Sequence, residues 1–95
     1  MKQIFKYPFT DLHLIQDGRF TFDLEMPLSP KPRWVGKQGS IITLWAEVDP
    51  DRKLTTHRFW MVGTGREIPD SVPYIGTVDD DPYIWHIYGP IEMPS

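Results

Sequence analysis

The chain contains no cysteine, which excludes disulfide bridges and thiolate metal sites from its 95 residues. It also lacks an apolar run long enough to cross a bilayer, and residues 1–18 lack the apolar stretch of a secretory signal peptide. These absences predict a soluble cytosolic protein with no membrane partner. Without disulfides, the stability of a chain this short must come from side-chain packing, and oligomerisation would increase it.

Neither sign of charge dominates the sequence, since 13 acidic and 10 basic residues give a net charge of -3. A general nucleic-acid binder needs a basic surface, so we expect no double-stranded nucleic acid as partner. A hydrophobic content of 40%, with 14% aromatic residues, predicts a folded chain rather than a disordered one. The length predicts a single β-rich domain over residues 1–95.

Windows that could hold a helix are scarce, because ten prolines are spread along the chain and a proline inside a helix costs about 3 kcal/mol. Residues 10–18 could form one helical turn or, equally, a loop. Residues 26–33 contain three prolines, so they cannot form a central strand and are predicted to be an extended loop.

Strand patterns are frequent. Residues 19–26 alternate strictly between apolar and polar side chains, which predicts a half-buried strand. Residues 41–48 are nearly all apolar, which predicts a strand covered on both faces. Residues 49–52 suit a type I turn, so we predict that 54–62 return antiparallel and that 41–63 form a hairpin.

Three more strands are predicted at residues 3–7, 74–78 and 83–88, with a turn at residues 79–82 between the last two. Together these segments predict a mainly β fold. It would be a small antiparallel sheet, barrel or sandwich of five to six strands, with at most one short helix.

No catalytic pattern is visible. The sequence has no G-x-S-x-G elbow, and His13, His57 and His86 are far apart without the spacing of metal ligands. Residues 79–81 are three aspartates without calcium-loop spacing, and we interpret them as a solvated turn. We therefore expect no enzymatic activity, no metal and no cofactor, and a nucleotide hydrolase has little support.

The most suggestive polar stretch is Gly63-Thr64-Gly65-Arg66, which follows a predicted strand. Glycines allow positive φ, so that successive N–H groups can converge on an anion, and the threonine hydroxyl and arginine fork would add donors. The alternative is an ordinary strand ending, with Arg66 paired in solvent to Glu67 or Asp70. The sequence alone favours this alternative.

Four tryptophans are many for this length. We expect most of them to fill the core, and one or two to stack on a planar ligand or anchor a subunit interface. In the strand predicted at 83–88, alternation separates Tyr83, Trp85 and Ile87 from Ile84, His86 and Tyr88. The second face is half polar, so we expect it to line a pocket or rim.

Several ordered blocks resemble a family of short, uncharacterised proteins encoded by tailed bacteriophages. The blocks are LWAEVDP (44–50), HRFWMVGTGREIP (57–69), YIGTV (74–78) and YIWHIYG (83–89), with a K-Y strand near the start at residues 5–8. The chain departs from the family pattern at Arg66, where the family has histidine, and in a longer, proline-rich stretch from Leu12 to Lys37.

The resemblance implies a phage origin, a location in the cytoplasm of the infected bacterial host and no assigned enzymatic activity. By analogy with small phage accessory proteins, it implies a homo-oligomeric counter-defence protein. Such a protein would sequester a small phosphate-bearing ligand, such as a cyclic nucleotide or oligonucleotide immune signal. The alternative is an inhibitor that binds a host defence protein, or a virion-accessory module.

Under the first hypothesis the phosphate would bind Arg66, Thr64 and the backbone amides of Gly63 and Gly65. A base would stack on one or more aromatic side chains, and a basic or imidazole group would add polar contacts. The candidates for these two roles are Trp45, Trp60, Tyr74, Trp85 and Tyr88 for stacking, and Arg58 and His86 for polar contacts.

Overall fold

A computed structural model describes residues 1–94 as eight β-strands in two antiparallel sheets, with no helix and hence no membrane-spanning helix in that range. Strands β1, β5 and β4 form a three-stranded sheet, and β2, β3, β6, β8 and β7 form a five-stranded sheet in those orders. Their bounds are β1 Gln3–Pro8, β2 His13–Gln16, β3 Arg19–Pro27, β4 Lys31–Gln38, β5 Ile41–Val48, β6 Leu54–Gly63, β7 Tyr74–Asp80 and β8 Tyr83–Glu92. The predicted β fold is confirmed as a small sandwich, with eight strands rather than five to six.

One core lies between the two sheets and is built from alternate residues of the strands. In β3 the predicted alternation is confirmed, because Phe22 and Met26 are buried while Asp23 and Glu25 are exposed. The largest fully buried side chains come from both sheets: Phe22, Met26 and Phe59 from one, and Leu44 and Val48 from the other. The period of two along each strand therefore gives each sheet one inner and one outer face.

The predicted hairpin over residues 41–63 is wrong, because β5 and β6 belong to different sheets. The turn itself forms, with the Arg52 N–H donating to the Asp49 carbonyl at 3.0 Å. The chain then crosses to the other sheet, where the Lys53 carbonyl accepts a hydrogen bond from Leu28 at 2.9 Å. The turn reverses the chain direction, but it does not decide which strand β6 pairs with. That choice depends on where the apolar face of β6 can pack against the core.

Residues 10–18 contain neither the helical turn nor the plain loop that their sequence allows. They hold β2, which pairs with β3 through a turn at Asp17-Gly18, where Gly18 has a φ of +78°. The proline-rich segment is more extended than predicted. Only residues 28–30 connect strands there, and Pro32 lies inside β4, at an edge of the three-stranded sheet.

The expectation that most tryptophans fill the core is wrong, because none is among the buried residues and only Trp85 packs against the core. Trp45 lies between the buried Leu44 and Ala46 on β5, and Trp60 lies between the buried Phe59 and Met61 on β6. A residue between two inward neighbours points outward. The core is therefore built mainly from aliphatic and phenylalanine side chains, and the tryptophans lie outside it.

Candidate functional site

An open groove of about 810 Å³ lies at one end of the five-stranded sheet. Three chain reversals meet there: the β2–β3 turn, the exit of β6 and the β7–β8 turn. The antiparallel register brings them together, since Arg19 pairs with Val62 and Gly63 pairs with Trp85. The groove is lined by Leu14, Asp17, Gly18, Phe20, Gly63, Thr64, Arg66, Pro82, Tyr83, Ile84 and Trp85.

The Gly-Thr-Gly-Arg stretch forms a β-turn closed by the Arg66 N–H donating to the Gly63 carbonyl at 3.1 Å. Gly65 occupies its third position with a φ of +87°, which is the requirement of a type II turn. The Gly63 N–H is also engaged, by the Gly18 carbonyl at 2.8 Å. Two of the four backbone N–H groups in this stretch, those of Gly63 and Arg66, are therefore already hydrogen-bonded within the protein. They are not free to bind an anion in the way that the sequence suggested.

The Arg66 side chain lies over Gly18 and pairs with Asp17, the guanidinium Nη2 lying 3.0 Å from the carboxylate. A Cβ on Gly18 would lie 2.7 Å from Arg66 Nε, so the close approach requires glycine. The prediction that Arg66 pairs with Glu67 or Asp70 is therefore wrong, because its partner is Asp17 of the β2–β3 turn. Because 94% of the Asp17 side chain is exposed, solvent screens the pair strongly.

Aromatic side chains form one wall of the groove. The Trp85 ring contacts Phe20 edge-to-face at a centroid distance of 5.6 Å, and it contacts Tyr83 at 5.6 Å on another side. Tyr83 is 60% exposed and Leu14, from β2, is 64% exposed. The groove therefore places apolar and aromatic surface next to one guanidinium, one carboxylate and the Thr64 hydroxyl.

A chain of hydrogen bonds leads from the groove onto the outer face of the five-stranded sheet. Thr64 Oγ1 lies 2.9 Å from His86 Nε2, and His86 Nδ1 lies 2.9 Å from Thr77 Oγ1. Thr77 Oγ1 in turn lies 2.5 Å from the Tyr74 hydroxyl. A hydroxyl can donate or accept, so a neutral imidazole has a suitable partner at each ring nitrogen.

The same outer face carries an aromatic row and an ion pair. Trp60 pairs in register with Tyr88, whose ring contacts that of Tyr74 at 5.4 Å. On the neighbouring strands Arg58 holds Asp23 with two hydrogen bonds, of 2.9 and 3.1 Å. This fork lowers the pKa of the Asp23 carboxyl, against a smaller opposing effect of burial, and raises that of Arg58.

The predicted site residues thus fall into three places. Gly63, Thr64, Arg66 and Trp85 line the groove, and Gly65 lies in the same turn as the first three without lining the groove. The second set lies on the outer face of the five-stranded sheet and consists of Arg58, Trp60, Tyr74, His86 and Tyr88. Trp45 belongs to the other sheet, where it contacts Trp34, and so cannot share a site with them. Thr64 links the first two sets through His86.

Sequence reasoning missed the residues that the β2–β3 hairpin and the β8 strand bring to the groove, chiefly Asp17, Gly18, Phe20 and Tyr83. An Asp-Gly pair between two apolar segments is a hairpin signal, and it would have placed this turn. Nothing local could have placed Arg66 over it, because the two positions are 49 residues apart.

Residues 1–94 match the family described as Domain of unknown function (DUF7352) along that whole length. The chain belongs to the DUF7352 family. No curated protein and no solved structure matches it. Within residues 1–94 no group of three His, Cys, Asp or Glu side chains is arranged to hold a metal ion. The groove and the outer face are therefore the features from which a function of this DUF7352 domain can be argued.

Proposed function

We propose that this DUF7352 protein binds a small ligand that combines a planar ring with an anionic group, such as a nucleotide, in the end groove. The observation that carries the proposal is the meeting of Trp85, Tyr83 and Phe20 with Arg66 and Thr64 around one open groove of about 810 Å³. Ligand pockets have volumes of this order, about 300–1,000 Å³, and combine apolar walls with a few polar groups.

The chemistry of the groove supports a two-part ligand. A planar base would lie against the exposed Tyr83 and the Trp85 wall, where stacking contributes about 1–3 kcal/mol per base. A phosphate would bind the Arg66 guanidinium, whose fork matches phosphate geometry. Asp17 is the present partner of that guanidinium. An exposed ion pair of this kind contributes less than about 1 kcal/mol, so a phosphate could displace Asp17 at little cost in free energy.

The biological part of the proposal is sequestration without turnover. The resemblance to short phage proteins supports a counter-defence role in the infected bacterial cytoplasm, in which the ligand is a cyclic nucleotide or oligonucleotide immune signal. Exposed apolar side chains, among them Leu14 and Ile15 of β2, support assembly into a homo-oligomer. Thr64 and His86 form a hydroxyl–imidazole pair at 2.9 Å, but the other ring nitrogen of His86 lies beside the Thr77 hydroxyl and not beside a carboxylate. The pair therefore lacks the acidic residue of a catalytic triad, and we propose binding and not catalysis.

Calorimetric titration with a panel of cyclic nucleotides, mononucleotides and inorganic phosphate tests the proposal. We expect heat with at least one nucleotide and a loss of about tenfold or more in affinity for Arg66→Ala, because a charge-assisted hydrogen bond contributes about 1.5–3 kcal/mol. Arg52→Ala is the matched control, since Arg52 is an exposed arginine outside the groove and should leave binding unchanged.

Asp17→Asn provides the more discriminating variant. It removes the carboxylate that competes for Arg66 but keeps the turn, so affinity for the anionic ligand should rise. An absence of heat with every nucleotide at high protein concentration would refute the proposal, as would equal binding by the Arg66→Ala and wild-type proteins. Chromatography of the same mixtures would show a changed ligand if the protein were an enzyme.

A second candidate function, inhibition of a host protein, rests on the open edge of β2. This strand pairs only with β3 among the described strands, and all four of its residues are exposed. An edge with unpaired backbone groups beside an apolar groove is suited to strand addition. Replacing Ile15 with proline would remove a backbone donor there, and it should abolish binding of a partner protein while leaving nucleotide binding intact.

A further inference from the structure

The outer face of the three-stranded sheet, on the other side of the sandwich, carries an aromatic pair in a basic setting. One cross-strand row consists of Lys6 on β1, Trp45 on β5 and Trp34 on β4. Residues in register on neighbouring antiparallel strands lie side by side on the same face. We call this row, with the charged residues beside it, the basic aromatic face.

The Trp34 side chain lies along its own strand, so that its ring reaches Gly36. Its ring covers Gly36, two residues further along β4, where a Cβ would lie 2.4 Å from the ring atom Cη2. The ring also contacts that of Trp45 at a centroid distance of 4.9 Å, yet Trp34 remains 57% exposed. One side of the indole is therefore seated on glycine while much of the residue faces solvent.

The charge on this face is opposite to that of the whole chain. Its carboxylates are Glu47, held by Arg33 at 2.9 Å and by Lys2 at 3.6 Å, and Asp49, which lines a pocket with Lys2, Lys31 and Arg52. Lys6 and Lys31 make no ion pair within residues 1–94. Five cations (Lys2, Lys6, Lys31, Arg33 and Arg52) and two carboxylates make +3, whereas the chain carries -3, so the remaining residues carry -6.

We propose that the basic aromatic face binds single-stranded nucleic acid. An exposed ring held in place by Gly36 and Trp45 offers a stacking surface to a base of any identity, and lysines without an ion pair beside it attract the phosphates. Lys6 and Trp34 are two strand spacings apart, about 10 Å, which lets one nucleotide stack while the next phosphate reaches the lysine.

The geometry favours a single strand over the other anionic partners. Within residues 1–94 there is no helix to enter a major groove, and the exposed Trp34 ring suits the unstacked bases of a single strand, which a duplex does not present. A membrane-binding surface presents a cluster of apolar side chains that insert between lipids, whereas here the exposed Ile4 pairs in register with the charged Glu47 and Trp34 lies along the sheet over Gly36. The face also shares no residue with the end groove, so the proposal is independent of the proposed function.

Fluorescence anisotropy of a labelled oligothymidylate of about a dozen nucleotides, titrated with the whole chain, tests the proposal. We expect binding accompanied by quenching of tryptophan fluorescence, and a loss of about tenfold for Trp34→Ala. Lys6→Gln should weaken binding and reduce the salt-dependence slope by about 0.7, the value for one phosphate contact on a single strand. Gly36→Ala should also weaken binding, because it displaces the ring without removing it.

Matched controls lie in one exposed segment away from this face. Leu54→Ala and Lys53→Gln remove an exposed apolar side chain and an exposed lysine, and neither should change oligonucleotide affinity. Arg66→Ala should bind the oligonucleotide normally, which separates this surface from the groove. Circular dichroism verifies that each variant is folded.

Three outcomes would overturn the proposal. They are an absence of oligonucleotide binding at low salt, equal affinity of the Trp34→Ala and wild-type proteins, and equal binding of duplex and single strand. Sedimentation with anionic phosphatidylserine vesicles, without any oligonucleotide binding, would assign the face to a membrane instead and would also overturn it.

Discussion

The two outer faces of the sandwich carry similar side chains and use them differently. On the five-stranded sheet, Arg58 is neutralised by Asp23 and both ring nitrogens of His86 have hydroxyl partners. On the three-stranded sheet, Lys6 has no acidic partner within residues 1–94 and Trp34 is more than half exposed. The polar groups of the first face are therefore bonded to one another, whereas the second face has a lysine without an ion pair and an exposed aromatic ring.

This difference indicates where binding costs least. A partner that bound the outer face of the five-stranded sheet would have to compete with hydrogen bonds that already exist, and the gain would be reduced by each bond broken. A partner that contacts Lys6 and Trp34 on the basic aromatic face has no ion pair to break there. The groove is intermediate, because its one charged donor, Arg66, is engaged by a single screened carboxylate.

The largest expected effect concerns two turn glycines, one in each sheet. Gly18→Ala and Gly39→Ala both place a side chain at positive φ, which costs about 1–2 kcal/mol. A Cβ at Gly39 meets nothing within 4 Å, whereas at Gly18 it meets Arg66. We expect Gly18→Ala to be the more destabilising in urea denaturation, and the excess to vanish in an Arg66→Ala background. Equal costs would show that Arg66 does not rest on Gly18.

A smaller effect concerns the buried polar side chains, again one in each sheet: His57, 3% exposed, and Thr43, 1% exposed. Burial lowers the pKa of His57, against weaker opposing effects from Glu92, the Met26 carbonyl and Glu25. The unfolded chain therefore takes up a proton, near its ordinary pKa of about 6.5, before the folded protein does. Stability should fall as the pH drops below that value.

The slope from this one group cannot exceed about 1.4 kcal/mol per pH unit. Urea denaturation between neutral and mildly acidic pH measures it, and His57→Gln should remove that part of the dependence. Thr43→Val is the control, because a hydroxyl does not titrate, and the wild-type slope should persist in it. A His57→Gln protein that kept the full slope would contradict the assignment.

The smallest expected effect compares charges on the two outer faces directly. A double-mutant cycle with Asp23→Ala and Arg58→Ala should give a coupling of about 0.5–1 kcal/mol, since the pair is doubly hydrogen-bonded but partly exposed. Lys6→Ala should change stability by less than about 0.5 kcal/mol, because it removes no ion pair. A large cost for Lys6→Ala would break the contrast between the faces.

Much of the fold was predictable from residue patterns. The strands at 3–7, 19–26, 41–48, 54–62, 74–78 and 83–88 all form, and the inner and outer faces of β8 are those that alternation predicts. The separation of β5 and β6 into different sheets was not predictable, because a suitable turn follows β5 and the choice of sheet depends on long-range packing. Trp45 was misplaced because β5 is almost wholly apolar, so its sequence does not show which parity faces inward.

The candidate site was predictable in part. The glycine-flanked turn and the aromatic residues are visible in the sequence, and four of the predicted residues, Gly63, Thr64, Arg66 and Trp85, meet in one groove. The remaining lining comes from turns distant in sequence, and the segregation of charge onto one face depends on which strands share a sheet. Both features depend on which strands pair with each other, and the amino-acid composition does not specify that pairing.

The sequence by itself determined that the chain is a small β domain without disulfides, because strand period, proline spacing and the absence of cysteine are local properties. Only the tertiary structure decided that Arg66 rests on Gly18 and that Lys6 lies beside Trp45 and Trp34. Those contacts arise when two sheets bury one core between them, and that burial is a free-energy balance over the whole chain.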